Sequence, residues 1–137
     1  MNTIEFPFEL GTDYENWELE LEILPDRVPL YDSYIYVGKD VKFFLNNSTY
    51  NPELVYNLDI LEAVILTFKM STACFKKVNA ELTKRVSKPS VEVKNNVELH
   101  HYSLESLYVS SCKSSHDIHL VYTSKYNLHT YLLSTLI

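Results

Sequence analysis

Among the first twenty-six residues are eight carboxylates and no Lys or Arg, and most of these acids alternate with apolar side chains. In Ile4-Glu5-Phe6-Pro7-Phe8-Glu9-Leu10 every even position is apolar; in Trp17-Glu18-Leu19-Glu20-Leu21-Glu22-Ile23 every odd position is. Successive side chains of a strand point to opposite faces, so strict alternation predicts half-buried β-strands. Glu18, Glu20 and Glu22 are then expected on one wet face, and Glu5 and Glu9 on one face of the earlier run. Such an acidic sheet surface suits a basic partner.

The chain has 137 residues, which predicts a single domain over 1–137, long enough to bury roughly two-thirds of its unfolded surface. It contains 11 Tyr and only 2 Gly, Gly11 and Gly38. Tyrosine is at home on sheets and at interfaces, where one end is buried and the other wet. Two glycines are too few for a dinucleotide fingerprint or a P-loop, both of which need backbone freedom and close phosphate approach. Nucleotide-dependent enzymes of those classes are therefore not expected, and no cofactor is implied. The N-terminus lacks the basic and continuous apolar regions of a signal peptide, and no run approaches the ~18 apolar residues of a membrane span. A cytoplasmic protein with no membrane partner is the expectation. Cys74 and Cys112 then read as reduced thiols, without a CxxC pair or a zinc spacing.

Charge is unevenly distributed. Residues 1–66 hold 13 acids and 3 bases, a net of -10, whereas 67–137 hold 5 acids and 9 bases, a net of +4; the whole chain is at -6. An overall negative charge argues against nucleic acid as a direct partner. Either the basic half folds against the acidic half and neutralises it, or the acids stay exposed and steer a basic partner at long range.

The periodicity predicts strands near 3–10, 16–24, 33–37 and 41–45, with a stiff Pro25–Pro29 loop. Pro7, lacking a donor N–H, makes the first an edge or bulged strand. A long helix is predicted to start at Asn51-Pro52-Glu53, with a break allowed near Asn57. Its face is Leu61, Ile65, Phe68, Thr72, Phe75, Asn79, Leu82 and Val86, its C-terminal cations are Lys84, Arg85 and Lys88, and Pro89 stops it. The β-branched Val64, Ile65 and Thr67 favour an early strand as the alternative. Beyond Pro89 the period returns to two. Asn95-Asn96 marks a tight hairpin between Val91/Val93 and Val97/Leu99, followed by strands at 107–111 and 118–123 and a final apolar strand or short helix over 128–137. The fold class expected is α+β: a curved antiparallel sheet of about seven or eight strands packed on one long central helix, in strands-helix-strands order.

Chemistry has few places to reside. His100, His101, His116 and His119 lie close in sequence, and a histidine-dependent nuclease needs two positioned acid/base groups. In a strand, however, His100/His101 and His116/His119 fall on opposite faces, so they read as surface or turn histidines and no metal site is expected. Ser110, Ser111, Cys112, Ser114 and Ser115 lack a Gly-x-Ser-x-Gly elbow and read as a polar turn region. An exposed alternating face also lacks the concave pocket that a pair of catalytic carboxylates requires.

The expected function is thus that of a small acidic binding protein, not an enzyme, that neutralises a basic protein: an immunity or inhibitor protein for a nuclease-type toxin. Nucleases hold phosphates with basic clefts, which carboxylates can fill. The expected contacts are Asp13, Glu15, Glu18, Glu20 and Glu22, flanked by Tyr34 and Tyr36 on one strand face. The alternatives are a phage-type anti-defence protein mimicking nucleic-acid charge, and a His-dependent RNase or other hydrolase using residues 100–119.

Overall fold

The segment that reads as the first half of a long helix is instead the centre of a sheet. In the computed structural model, which describes residues 4–25, 27–69, 71–114 and 116–137, it forms a hairpin of β4 (Asn47–Asn57) and β5 (Ile60–Lys69). Leu58 and Asp59 make the turn, both at positive φ (49° and 66°), as a two-residue hairpin of right-handed twist requires. In β5, Leu61, Ala63, Val64, Ile65, Leu66 and Phe68 are all buried. A strand covered on both faces loses its period-two signal and reads as a continuous apolar run, which imitates a helix face. The β-branched residues that favoured the strand alternative mark the true element.

The helix proper, α1, covers only Thr72–Arg85; the Ser71 hydroxyl accepts the Cys74 N–H at 3.3 Å as its N-cap. Its end at Lys84-Arg85 agrees with expectation, as do Phe75, Asn79 and Leu82 on its buried face. The other strands are β1 (Leu21–Leu24), β2 (Asp32–Tyr36), β3 (Phe43–Phe44), β6 (Ser90–Lys94), β7 (Val97–Leu104), β8 (Leu107–Lys113) and β9 (Asp117–Thr123). The chain finishes in a second helix, α2 (Tyr126–Leu136). The architecture is therefore α+β with nine strands and two helices among the described residues, rather than a sheet on one long central helix, and the element order ends in a helix.

All strand pairs are antiparallel, and the sheet is open, in the order β1-β2-β4-β5-β9-β8-β7-β6, with β3 paired to the far end of β4. After β5, α1 carries the chain to β6 at the far edge, and the strands return inward to β9. Asn95-Asn96 turns β6 into β7 with φ of 53° and 64°, as the sequence predicts. One face carries α1 and a core of Leu54, Tyr56, Val64, Leu66, Phe68, Phe75, Val78, Leu82, Leu120 and Tyr122; the other carries α2, whose Leu128 and Leu132 pack with Val55, Ala63, Ile65 and Val121.

Residues 4–10 form no strand. They are a strap that packs on the α1 face of the sheet, with Phe8 fully buried and Ile4, Phe6 and Leu10 half-buried against the core. The Tyr122 hydroxyl donates to the Phe8 carbonyl (2.7 Å) and accepts the Phe8 N–H (3.2 Å), and Phe6 stacks on the Tyr122 ring at 4.2 Å. Gly11, at φ 88°, turns the strap so that its N–H reaches Leu61 O at 2.8 Å. Alternation here separates an inner apolar side from the exposed Glu5 and Glu9 without ladder pairing. The second alternating run is also not one strand: Tyr14–Asn16 and Glu18–Glu20 are 3-10 turns, and only Leu21–Leu24 pairs with β2. Thr3 of the predicted first strand, Asp26 of the Pro25–Pro29 loop, Met70 of the predicted helix and Ser115 of the serine-rich turn lie outside the described residues.

Candidate functional site

The seven residues expected to meet a partner are divided by the fold. Asp13 caps the first 3-10 turn, its Oδ1 accepting the Glu15 N–H at 2.9 Å. A bridge from Asp13 to Ile60, with the Tyr14 N–H on Asp59 O at 2.7 Å, brings Asp13 and Glu15 to the β4–β5 turn. Glu18 and Glu20 belong to the 3-10 turn at the other end of β1, and Glu22 is exposed in mid-strand. The expected common face of Glu18, Glu20 and Glu22 does not form, because the first two are not in a strand. Glu20 turns inward and accepts the Tyr36 hydroxyl at 3.1 Å. Tyr34 and Tyr36 do share a face, but it is the core side: Tyr36 is 3 % exposed, and Tyr34 packs against Tyr14 and Tyr56 at 5.1 and 5.8 Å.

The end of the sheet at the β4–β5 turn has a composition of its own. Asp32 pairs with Tyr56, so the loop carrying Leu30 and the turn carrying Leu58 leave the sheet at the same end. Leu30 is 96 % and Leu58 87 % exposed, and both hold left-handed backbone (φ 70° and 49°). Exposed carboxylates at Asp13, Glu15, Asp32 and Asp59 share this end. Burial, then Tyr14, Asp32 and Asp59, keep the Tyr34 phenol above its ordinary value; burial, then Tyr14, Tyr34 and Asp13, push Tyr56 up to about 12. Among the described residues no Lys or Arg forms an ion pair with Glu5, Glu9, Asp13, Glu15, Glu18, Glu20 or Glu22. The Arg27 guanidinium instead reaches Glu53 at 3.3 Å under α2, where burial outweighs the cation and raises the carboxyl.

A second site lies toward the β6 edge of the sheet, between α2 and the β6–β8 strands: a cleft of about 340 Å³. The hairpin register places His101 opposite Ser110, and Glu92 one pair further along the same face. Glu92 Oε1 lies 2.7 Å from His101 Nε2, His101 Nδ1 2.6 Å from Ser110 Oγ, and Ser110 Oγ 2.8 Å from His129 Nε2 on α2. A carboxylate only accepts, so His101 donates to Glu92 from Nε2; with the ring in its neutral form Nδ1 accepts the Ser110 proton and His129 Nε2–H donates to Ser110. His129 is 8 % exposed; burial, helped by His101, pushes its pKa down to about 4, so the ring is neutral near pH 7. Tyr108 stacks on His129 at 5.6 Å, and Tyr126 packs on Tyr108 at 5.6 Å.

The polar-turn reading of Ser110, Ser111 and Cys112 is corrected by this arrangement. All three are buried within β8, and burial raises the Cys112 thiol to about 11, which makes it inert. His100 faces α1, edge-on to Phe75 at 5.2 Å, so the opposite-face argument for the His100/His101 pair holds. His116 is exposed in the turn before β9, and His119 hydrogen-bonds Thr67 across the sheet at 3.1 Å. His129 carried no sequence signal: it joins the others only because α2 folds back over β8. Glu92 and Ser110 were legible in principle, since both hairpin turns define their pairing with β7. Among the described residues no group of three or more His, Cys, Asp or Glu could hold a metal ion, and no helix is long and apolar enough to cross a membrane. Comparisons with protein-family models, curated proteins and solved structures find no match to this chain.

Proposed function

We propose that the chain is a small acidic binding protein that neutralises a basic protein partner, acting as an immunity or inhibitor protein for a nuclease-type toxin. The observation that carries this reading is the pair Leu30 and Leu58. Each is an almost fully exposed leucine in a backbone conformation where Asn or Gly is at ease. Exposed leucine in strained backbone costs the isolated chain stability, and strain of this kind clusters where surfaces bind. Placed beside Asp13, Glu15, Asp32 and Asp59, the two leucines have the makeup of an interface: apolar anchors within a charged surround that speeds encounter and selects a basic surface. The absence of ion pairs from the N-terminal acids to Lys or Arg, among the described residues, supports an acidic surface left open rather than one neutralised internally.

The test is capture of partners from native lysate at low and moderate salt with three baits. These are wild type, a Leu30→Ser/Leu58→Ser/Asp59→Lys variant, and a Glu18→Lys/Glu22→Lys variant. A single basic protein held by wild type and lost by the leucine variant is expected, with purified components reproducing the loss. Equal retention by the wild-type and leucine-variant baits would reject this end of the sheet as the contact. Loss confined to the Glu18/Glu22 variant would move the interface to the β1 edge.

A further inference from the structure

The cleft between α2 and β7–β8 shares no lining residue with the acidic end: Leu30, Leu58 and the carboxylates beside them are not among its walls, and β8 lies two strand spacings, roughly 10 Å, from β5. What the cleft holds is a serine hydroxyl, an imidazole and a carboxylate hydrogen-bonded in series. Ser110 Oγ sits 2.6 Å from His101 Nδ1, and His101 Nε2 sits 2.7 Å from Glu92 Oε1. Nucleophile bonded to base, and base held by a third group, is the arrangement that activates a serine hydroxyl. The carboxylate fixes the tautomer that leaves Nδ1 free to take the serine proton, and it stabilises the imidazolium that results. From the structure we infer that Ser110 is the nucleophile of an acyl-transfer site with His101 as base and Glu92 as the positioning residue, acting on small esters.

The substrate class follows from the walls. Tyr108 and Tyr126 offer an aromatic side for a flat leaving group, and about 340 Å³ of space is at the small end for a ligand site. Glu92, with its side chain 55 % exposed, is held by His101 at the edge of the cleft, and Lys94 also lines it. Ser110 itself is only 1 % exposed and is met from the cleft between the two imidazoles, which restricts the acyl group to a small one. In the acylation step the Ser110 Oγ–carbonyl carbon bond forms while the hydroxyl proton passes to His101 Nδ1. The carbonyl oxygen takes the negative charge and accepts from His129 Nε2–H, which the serine oxygen has just vacated. The leaving alkoxide departs with the proton from His101. Water then attacks the acyl carbon and gives a proton to His101, the Oγ–carbon bond breaks, and Oγ recovers that proton. The products are a carboxylic acid and an alcohol, with no oxidant or metal required.

The test uses the full chain with p-nitrophenyl acetate as substrate and a small fluorophosphonate as covalent probe, read by intact mass and peptide mapping. Wild type is expected to take one label on Ser110 and to hydrolyse the ester at least about tenfold faster than the same concentration of free imidazole. Ser110→Ala should abolish the label, and His101→Gln should lower its rate of formation at least about tenfold. Glu92→Gln should lower kcat with KM unchanged, the mark of a group acting through His101 rather than on substrate. The wild-type result does not depend on any variant folding. A folded wild-type protein that takes no label, or one labelled on Tyr126 or Lys94 instead, overturns the inference. RNA cleavage without serine labelling also overturns it. Esterase activity intact in the leucine variant above would show that this site and partner binding are independent.

Discussion

Replacing Leu58 with Asn tests the binding surface and the turn together, because the two effects have opposite signs. Leu58 is 87 % exposed and sits at φ 49°. A left-handed backbone costs an ordinary L-residue ~1–2 kcal/mol, and Asn recovers part of this through local hydrogen bonding. Full burial of a leucine side chain is worth ~2 kcal/mol, so its small buried fraction here contributes only ~0.3 kcal/mol. The net expectation for Leu58→Asn is a gain of ~0.5–1 kcal/mol. For a chain of this length the unfolding entropy is about 0.3 kcal/mol per degree, so Tm should rise by about 2–3 °C. Urea denaturation with an unchanged slope, alongside calorimetry, measures it. The same change removes an anchor that would bury ~1.5–3 kcal/mol of apolar surface in a complex, so affinity for the captured partner should fall about 10–100-fold. A variant more stable yet weaker in binding is the signature of a residue kept for recognition. A loss of ~1 kcal/mol or more in the isolated chain would mean that Leu58 is packed, and unchanged affinity would mean that the turn is no contact; either refutes the reasoning.

Three other perturbations follow from buried polar groups. Because the His129 pKa is held down at about 4, the unfolded chain binds the extra proton as pH drops below ~6.5, and stability is present above that value and lost toward pH 4. Solvent in the adjoining cleft screens part of the effect, so a loss of ~1–2 kcal/mol between pH 7 and 4.5 is expected in urea titrations, with a shallower slope for His129→Gln. Arg27→Met leaves Glu53, 8 % exposed, without its cation and should cost ~2–3 kcal/mol; adding Glu53→Gln should restore most of it, and an unaltered urea midpoint in the single variant would show that the pair is not coupled. Tyr122→Phe removes both hydrogen bonds to Phe8. It should cost ~2 kcal/mol and accelerate amide exchange across residues 4–12, and slow exchange there would show that the strap is held by packing alone.

How much was legible depended on the reach of the forces involved. The Asn95-Asn96 hairpin, the strands around 107–111 and 118–123 and the C-terminal end of α1 rest on local chemistry: left-handed turn residues, short-range alternation, cations before Pro89. Each emerges in the structure within a few residues of its expected place. Alternation at Ile4–Leu10 correctly sorted apolar from acidic side chains, but sorting by face does not specify a ladder partner, and the Tyr122 hydroxyl anchors that strap by a contact from position 122 to position 8. The long-helix expectation failed at 51–69 because β5 is covered on both faces, by α2 on one and by α1 with the N-terminal strap on the other, which erases the period on which a strand is recognised. Tyr36 read as an exposed anchor for a similar reason: the strap and Trp17 cover it, and nothing in its own neighbourhood announces them.

Local pattern was enough for the α+β class, the Asn95-Asn96 turn, the acidic N-terminal half and the alternation in β7–β9, because backbone propensity and side-chain periodicity act over a few residues. Long-range packing set which carboxylates gather with Leu30 and Leu58, and brought His129 onto Ser110 beside His101 and Glu92. Those neighbourhoods arise from the return of the chain through α1 to the far edge and from the docking of α2. Burial of an apolar face selects such packings from many partners distant in sequence, and no local pattern encodes that choice.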